Sequence, residues 1–292
     1  MADNREIDQH TGVETTGHSW DGIKELNTPL PRWWIWVFYI SIVWAIGYWV
    51  AFPAWPMFSD YTKGMLGYSE RAAVNAAVAE DKKAQGKWNE AVSKATLAEI
   101  NSNPELLNFS IAVGRSAFAN NCAGCHGRGA QGAGGYPNLN DDNWLWGGSL
   151  EQIDQTILHG VRNGIDADAR GAGGGMPERA SVLKPDQISD VAEYVLSLSK
   201  RSADTAAAER GKAVFEGDGG CTTCHGDDAK GNKELGSANL TSGIFQWGGT
   251  KADLVKTISE GRAGVMPAWS GRLEPETIKE LAVYVHSLGG GQ

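Results

Sequence analysis

The chain has 292 residues, with 35 Asp and Glu against 26 Lys and Arg, and a formal net charge of −9. That balance argues against a nucleic-acid partner and suits a basic protein partner. The length accommodates two domains and an added anchor.

Residues 1–32 read as a polar tail with one ordered patch, WDGIKELNTPLPRWW at 20–34. From Trp33 to Ser59 no charged residue and no histidine occurs, and six of the twelve tryptophans lie in this stretch. About 20 apolar residues cross a hydrocarbon core, and tryptophans favour its two interfaces. A membrane helix over 33–58 is therefore predicted, ended by Pro53 and Pro56, which lack the N–H a helix interior needs. The competing readings, a cleaved signal peptide or a buried core helix, fit less well. A signal h-region spans about 7–15 residues behind a short basic start, whereas 32 polar residues precede this one. Both flanks carry a few Lys and Arg, so charge does not orient the span.

Residues 59–107 are rich in Ala, Glu and Lys and predict a helical neck ended at Pro104, with a flexible linker as the alternative. The remainder is an internal repeat, over 108–199 and 208–290. Copy one reads CAGCHG, PNL, WGG, MP and LKPDQISDVAEYVLSL; copy two reads CTTCHG, ANL, WGG, MP and LEPETIKELAVYVHSL. The offset between copies is 99 at the cysteines, 101 at Trp146/Trp247 and 90 at Met176/Met266. Copy one therefore holds an extra stretch, IDADARGAGG at 165–174, just before its methionine. Apolar residues recur at helical spacing after each Trp-Gly-Gly and at each C-terminus, and no alternating strand is evident. The expected fold is all-α: one N-terminal transmembrane helix and two tandem small domains. Each domain is too short for a generous core of its own, so a large apolar cofactor would help fill it.

All four cysteines fall in two Cys-x-x-Cys-His motifs: Cys122, Cys125 and His126, then Cys221, Cys224 and His225. At i, i+3 and i+4 the three side chains share one helix face. This is the attachment signature of haem c: the thiols add to the two vinyl groups and the imidazole binds iron. A dithiol redox pair expects a βαβ setting, and a four-thiolate zinc site joins its pairs over about 15–20 residues. Neither requires a histidine after both second cysteines. Met176, 50 residues after His126, and Met266, 41 residues after His225, each before a proline in a glycine-rich loop, are the expected second axial ligands, each to the haem of its own repeat; plain core packing is the alternative. His159 is the rival ligand in copy one, read here as a surface side chain. His/Met ligation leaves iron no open position and raises its potential, so these two covalent haems carry electrons and no catalytic site is expected. The carbonyl of Pro137 is placed to orient His126, with Ala238 as its counterpart. Trp146 and Trp247 are candidate donors, and Arg162 and Arg262 candidate partners, to haem propionates, against packing or solvated charge.

The two repeats resemble class I cytochrome c. WDGIKELNTPLPRWW, one span and tandem haem domains together resemble the dihaem subunit (CcoP/FixP family) of cbb3-type cytochrome c oxidases. The resemblance covers nearly the whole chain. It implies a subunit anchored in the lipid bilayer of the bacterial inner membrane, passing electrons from a periplasmic cytochrome c donor to the monohaem cytochrome c subunit and the haem–copper catalytic subunit. Because c-type haem is attached outside that membrane, residues 1–32 are expected inside and the haem domains in the periplasm. An anchored dihaem shuttle, or the cytochrome subunit of a periplasmic dehydrogenase, shares these features; a peroxidase would need one iron that opens.

Overall fold

A computed structural model describes residues 6–289. The chain divides into two compact units, Met1–Ala84 and Gln85–Gln292.

In the first unit the polar tail contains a hairpin that its composition did not announce, β1 (Thr15–Trp20) antiparallel to β2 (Ile23–Leu26). Asp21 and Gly22 both take positive φ, 51° and 86°, the backbone of a tight two-residue turn whose twist matches the strands. Helix α1 (Arg32–Ala51) follows and stops before Pro53. Its 20 residues rise about 30 Å, enough to span a bilayer core. Its apolar side chains are almost all exposed, as expected when lipid is the solvent. The following loop returns to its end: Met65 and Leu66 donate their N–H groups to the carbonyls of Val50 and Ala51 at 2.9 and 3.0 Å. Two of the carbonyls a helix end leaves open are thereby satisfied.

Helix α2 (Glu70–Lys94) runs from the first unit into the second and is followed by α3 (Leu97–Ser102) and α4 (Pro104–Asn121). Pro104, expected to end the neck, instead opens a helix at its first position, where its missing N–H costs nothing. Thr96 and Glu99 form a capping box at the start of α3.

The second unit then contains α5 (Ala123–His126), α6 (Leu150–His159), α7 (Pro185–Leu198), α8 (Thr205–Glu216), α9 (Thr222–His225), α10 (Lys251–Glu260) and α11 (Pro275–Ser287). α7 and α11 open on proline; α6 and α10 are capped by Ser149 and Thr250.

Tandem in sequence, the repeats are crossed in space. α11, from the end of repeat two, packs on α4 and α6 of repeat one; α7, from the end of repeat one, packs on α8 and α10 of repeat two. Two cores result. One joins Phe118, Ile153 and Ile157 to Leu281, Tyr284 and Val285. The other joins Val191, Val195 and Leu196 to Phe215, Leu254 and Ile258. The same aromatic pair seals each crossing: Phe118–Tyr284 at 5.5 Å and Phe215–Tyr194 at 5.2 Å between ring centres. Gly114 and Gly211 allow the helices to meet, since a Cβ would lie 2.3 Å from the Glu280 carbonyl oxygen and 1.9 Å from that of Asp190. The end of the neck also belongs to this unit. Val92 and Ile100 are fully buried with Val283, and Lys279 donates to the carbonyls of Ser93, in the last turn of α2, and Ala95, just beyond it, at 2.9 and 2.8 Å.

Candidate haem site

Each Cys-x-x-Cys-His motif forms a single helical turn, closed by the His126 N–H to the Cys122 carbonyl and the His225 N–H to the Cys221 carbonyl, both at 3.0 Å. The turn is followed in both repeats by a glycine N–H bonding back to the histidine carbonyl, Gly132 at 2.8 Å and Gly231 at 2.9 Å. Below each imidazole a backbone carbonyl meets Nδ1: Pro137 O at 3.1 Å from His126 and Ala238 O at 2.9 Å from His225. With Nδ1–H donated there, Nε2 is the lone pair left for a metal. Alanine in place of proline does not lengthen the bond. Burial lowers the pKa of both imidazoles, favouring the neutral form that a metal needs.

The thiols are free of disulfides. Burial, with Cys125 adding to it, pushes Cys122 up to about 11, and burial also raises Cys221.

Each methionine segment packs against the other repeat. Met266 exchanges backbone hydrogen bonds with Val161, at the end of α6 in repeat one, at 2.9 and 3.0 Å. Its side chain packs with the core that holds Phe118 and Cys122. Met176 exchanges bonds with Arg262, at the end of α10 in repeat two, at 2.8 and 3.0 Å, and packs with the core that holds Phe215 and Cys221. The packing thus groups His126 with Met266 and His225 with Met176, whereas counting along each repeat groups His126 with Met176.

One continuous cavity of about 1760 Å³ is lined by all four cysteines, both histidines and both methionines. Pockets for a single drug-sized ligand measure about 300–1,000 Å³, so this space suits more than one large group. Pro137, Trp146, Trp247, Arg162 and Arg262 also line it. Each indole has a guanidinium over it, Arg162 on Trp146 at 5.5 Å and Arg262 on Trp247 at 5.1 Å. Each also rests on a glycine of the opposite repeat: a Cβ on Gly236 would fall 2.1 Å from Trp146, and one on Gly135 would fall 2.9 Å from Trp247. Two buried polar atoms on the cavity wall, Arg262 Nε and Thr257 Oγ1, have no partner among the described residues. Free imidazole nitrogens, thioether side chains, thiols in pairs and orphaned donors are the groups that a covalent haem with anionic propionates would satisfy.

His159, expected at the surface, is mostly buried instead; its Nδ1 lies 3.0 Å from Asp166 Oδ2, in the extra stretch of repeat one. It does not line the cavity. The same stretch places Arg170 beside Trp146, a residue that sequence reasoning missed because repeat two has no counterpart to compare it with.

The crossed helices, paired thiols and half-buried imidazoles define a tandem cytochrome c that follows an apolar helix in the chain. Three family profiles match along the chain: the N-terminal domain of cytochrome oxidase-cbb3, FixP, over residues 12–59; cytochrome c over 111–199; and cytochrome c oxidase, cbb3-type, subunit III, over 206–285. Cbb3-type cytochrome c oxidase subunit FixP of Azorhizobium caulinodans is 54% identical over 98% of this chain and 96% of its own. The FixP subunit of a Bradyrhizobium species is 54% identical over all of both chains, and subunit CcoP of Azospirillum brasilense is 53% identical over 99% of each. The chain belongs to the FixP/CcoP family of cbb3-type cytochrome c oxidase subunits.

Proposed function

We propose that this chain is the membrane-anchored dihaem electron-transfer subunit of a cbb3-type haem–copper oxidase, relaying electrons from a periplasmic cytochrome c toward the monohaem and oxygen-reducing catalytic subunits. One haem is attached at Cys122 and Cys125, the other at Cys221 and Cys224. Iron is held by His126 with Met266 in the first site and by His225 with Met176 in the second. The observation that carries this ligation is the pairing of each methionine segment with the opposite repeat's helix end. Bound haem supplies a one-electron ferric/ferrous couple. The chain's own residues orient the imidazoles through Pro137 and Ala238, exclude water with the two crossed cores, and offer Arg162, Arg262 and the two indoles to the propionates.

Helix α1 anchors the chain, with residues 1–32 in the cytoplasm and the repeats in the periplasm. The segments 1–32, 33–58, 59–107, 108–199 and 208–290 serve as tail, span, neck and two haem-binding repeats.

A haem assay with intact-mass measurement should count two covalent haems per chain, and detergent extraction should bring a haem–copper core with the protein. Met266→His should convert one haem to bis-histidine ligation while leaving the Met176 charge-transfer band intact, and Met176→His should do the reverse. A mature mass equal to the bare polypeptide would end this proposal, and isolation without a haem–copper core would favour an independent shuttle.

A further inference from the structure

The segment after helix α1 turns its polar groups inward and its apolar side chains outward. Thr62 Oγ1 accepts from the Ala54 and Trp55 N–H groups at 3.3 and 2.9 Å, and the Thr62 N–H donates to the Trp55 carbonyl at 2.9 Å. The Met57 N–H donates to the Asp60 carbonyl at 2.6 Å. The far flank closes on the helix end, where the Met65 and Leu66 N–H groups reach the Val50 and Ala51 carbonyls. Gly64 permits that closure: its φ is 70°, and a Cβ there would lie 2.5 Å from the Ala51 carbonyl oxygen. Aromatic pairs fasten the segment as well, Trp55 on Trp49 at 4.9 Å and Tyr68 on Phe52 at 5.6 Å between ring centres. Meanwhile Phe58 is fully exposed, Met65 is 84% exposed, and Trp55, Met57 and Leu66 are each more than half exposed. Asp60 and Lys63 are the only charged residues between Ala51 and Glu70, and they pair with each other at 3.3 Å.

We infer that residues 53–68 form a second, non-helical membrane contact, a collar around the end of α1 whose exposed apolar side chains lie among lipids at the bilayer surface. Lipid is the occupant because the collar continues a lipid-facing surface. It is hydrogen-bonded to the last two residues of α1 and ring-stacked on Trp49, and the apolar exposure of the helix runs on into it. A loop in water gains nothing by uncovering Phe58, Met57 and Met65 together. A segment at the edge of hydrocarbon, by contrast, has to satisfy its own main chain and offer apolar groups outward. Trp49 and Trp55 suit the interface, and the mutually neutralised Asp60 and Lys63 suit the headgroups. The collar thereby fixes the depth of α1. Sliding the helix end inward drags the Asp60–Lys63 pair toward hydrocarbon, which is costly, and sliding it outward strips lipid from Phe58 and Met65. This inference rests on the anchoring by α1 proposed above.

The test uses single introduced cysteines, since the four native thiols are held in thioether links to haem in the function proposed above. The full haem-loaded chain, carrying Phe58→Cys or Met65→Cys, is placed alone in phosphatidylcholine nanodiscs. It is then treated with a charged, membrane-impermeant maleimide, and labelling is followed by intact mass. Ile42→Cys in mid-span and Glu209→Cys on the exposed surface of α8 are the references. Both collar thiols should react at least about tenfold more slowly than the Glu209→Cys thiol, as expected for groups at the headgroup–acyl boundary. Reaction at the Glu209→Cys rate would overturn the inference. So would protection that develops only when the other oxidase subunits are reconstituted alongside, because the cover would then be a partner protein. Rapid labelling of Ile42→Cys would mean that the anchoring beneath the inference had failed instead.

Discussion

The two helix crossings in the second unit share a plan and differ in how they treat one acidic position. On α7, Asp190 meets Arg210 of α8 through two hydrogen bonds of 2.7 and 2.8 Å, with the arginine side chain 62% exposed. On α11 the equivalent residue, ninety positions later, is Glu280, which is 1% exposed. The residue of α4 matching Arg210 is Val113. Among the described residues Glu280 Oε1 has no partner, nor does the buried Ser110 Oγ on α4. Burial, with Glu276 adding to it, raises the Glu280 carboxyl to about 8. Backbone geometry and aromatic packing are therefore conserved between the crossings, whereas polar satisfaction is not. A close-packed helix pair can carry a neutral buried acid provided its shape is right.

Removing the shared part should cost most. Phe118→Ala or Phe215→Ala should each destabilise by about 3–5 kcal/mol, measured by denaturant unfolding followed by circular dichroism. Each ring seats the other repeat's tyrosine, so either change should loosen helices from both repeats.

The difference between crossings should emerge with pH. Folding holds a proton on Glu280 that the unfolded chain releases near its ordinary carboxylate pKa. That contribution is fully present below about pH 4.5 and is lost as pH rises through about 8. Glu280→Gln should accordingly flatten the decline in stability across this window and stabilise at pH 8.5 by about 1–3 kcal/mol. An unchanged pH profile would show that the carboxyl reaches a partner.

The smallest effect is expected at the exposed pair. Asp190→Asn should cost about 0.5–1 kcal/mol, and the loss should shrink in high salt, because screened surface ion pairs contribute little. A loss insensitive to salt would place the pair in the core with Glu280.

The anchor, the repeat and the thiol–imidazole motifs were legible in the sequence because each is a local pattern of spacing or composition. The crossing was not. Met176 lies 50 residues after His126 and 49 before His225, so distance along the chain cannot choose between them. Phe118 and Phe215 are likewise apolar at equivalent positions whichever C-terminal helix covers them. The hairpin at 15–26 escaped notice because its strands are six and four residues long, one of them interrupted by Gly17; the Asp21-Gly22 turn was the available signal. Pro104 was recognised as punctuation but assigned to the wrong side of the break, since a proline that closes one helix also suits the first turn of the next. Arg170 required the fold itself, because its contact is with an indole 24 positions away.

The crossed helices also impose an order on biogenesis. Translation delivers α11 after every other helix described here, so the surface formed by Phe118, Ile153 and Ile157 stays open until α11 emerges. A chain truncated after residue 270 would lack the closing helix of its first lobe, although every residue of repeat one had been made. Conversely, a nick in the connector between α7 and α8 would leave two fragments still clasped through both cores.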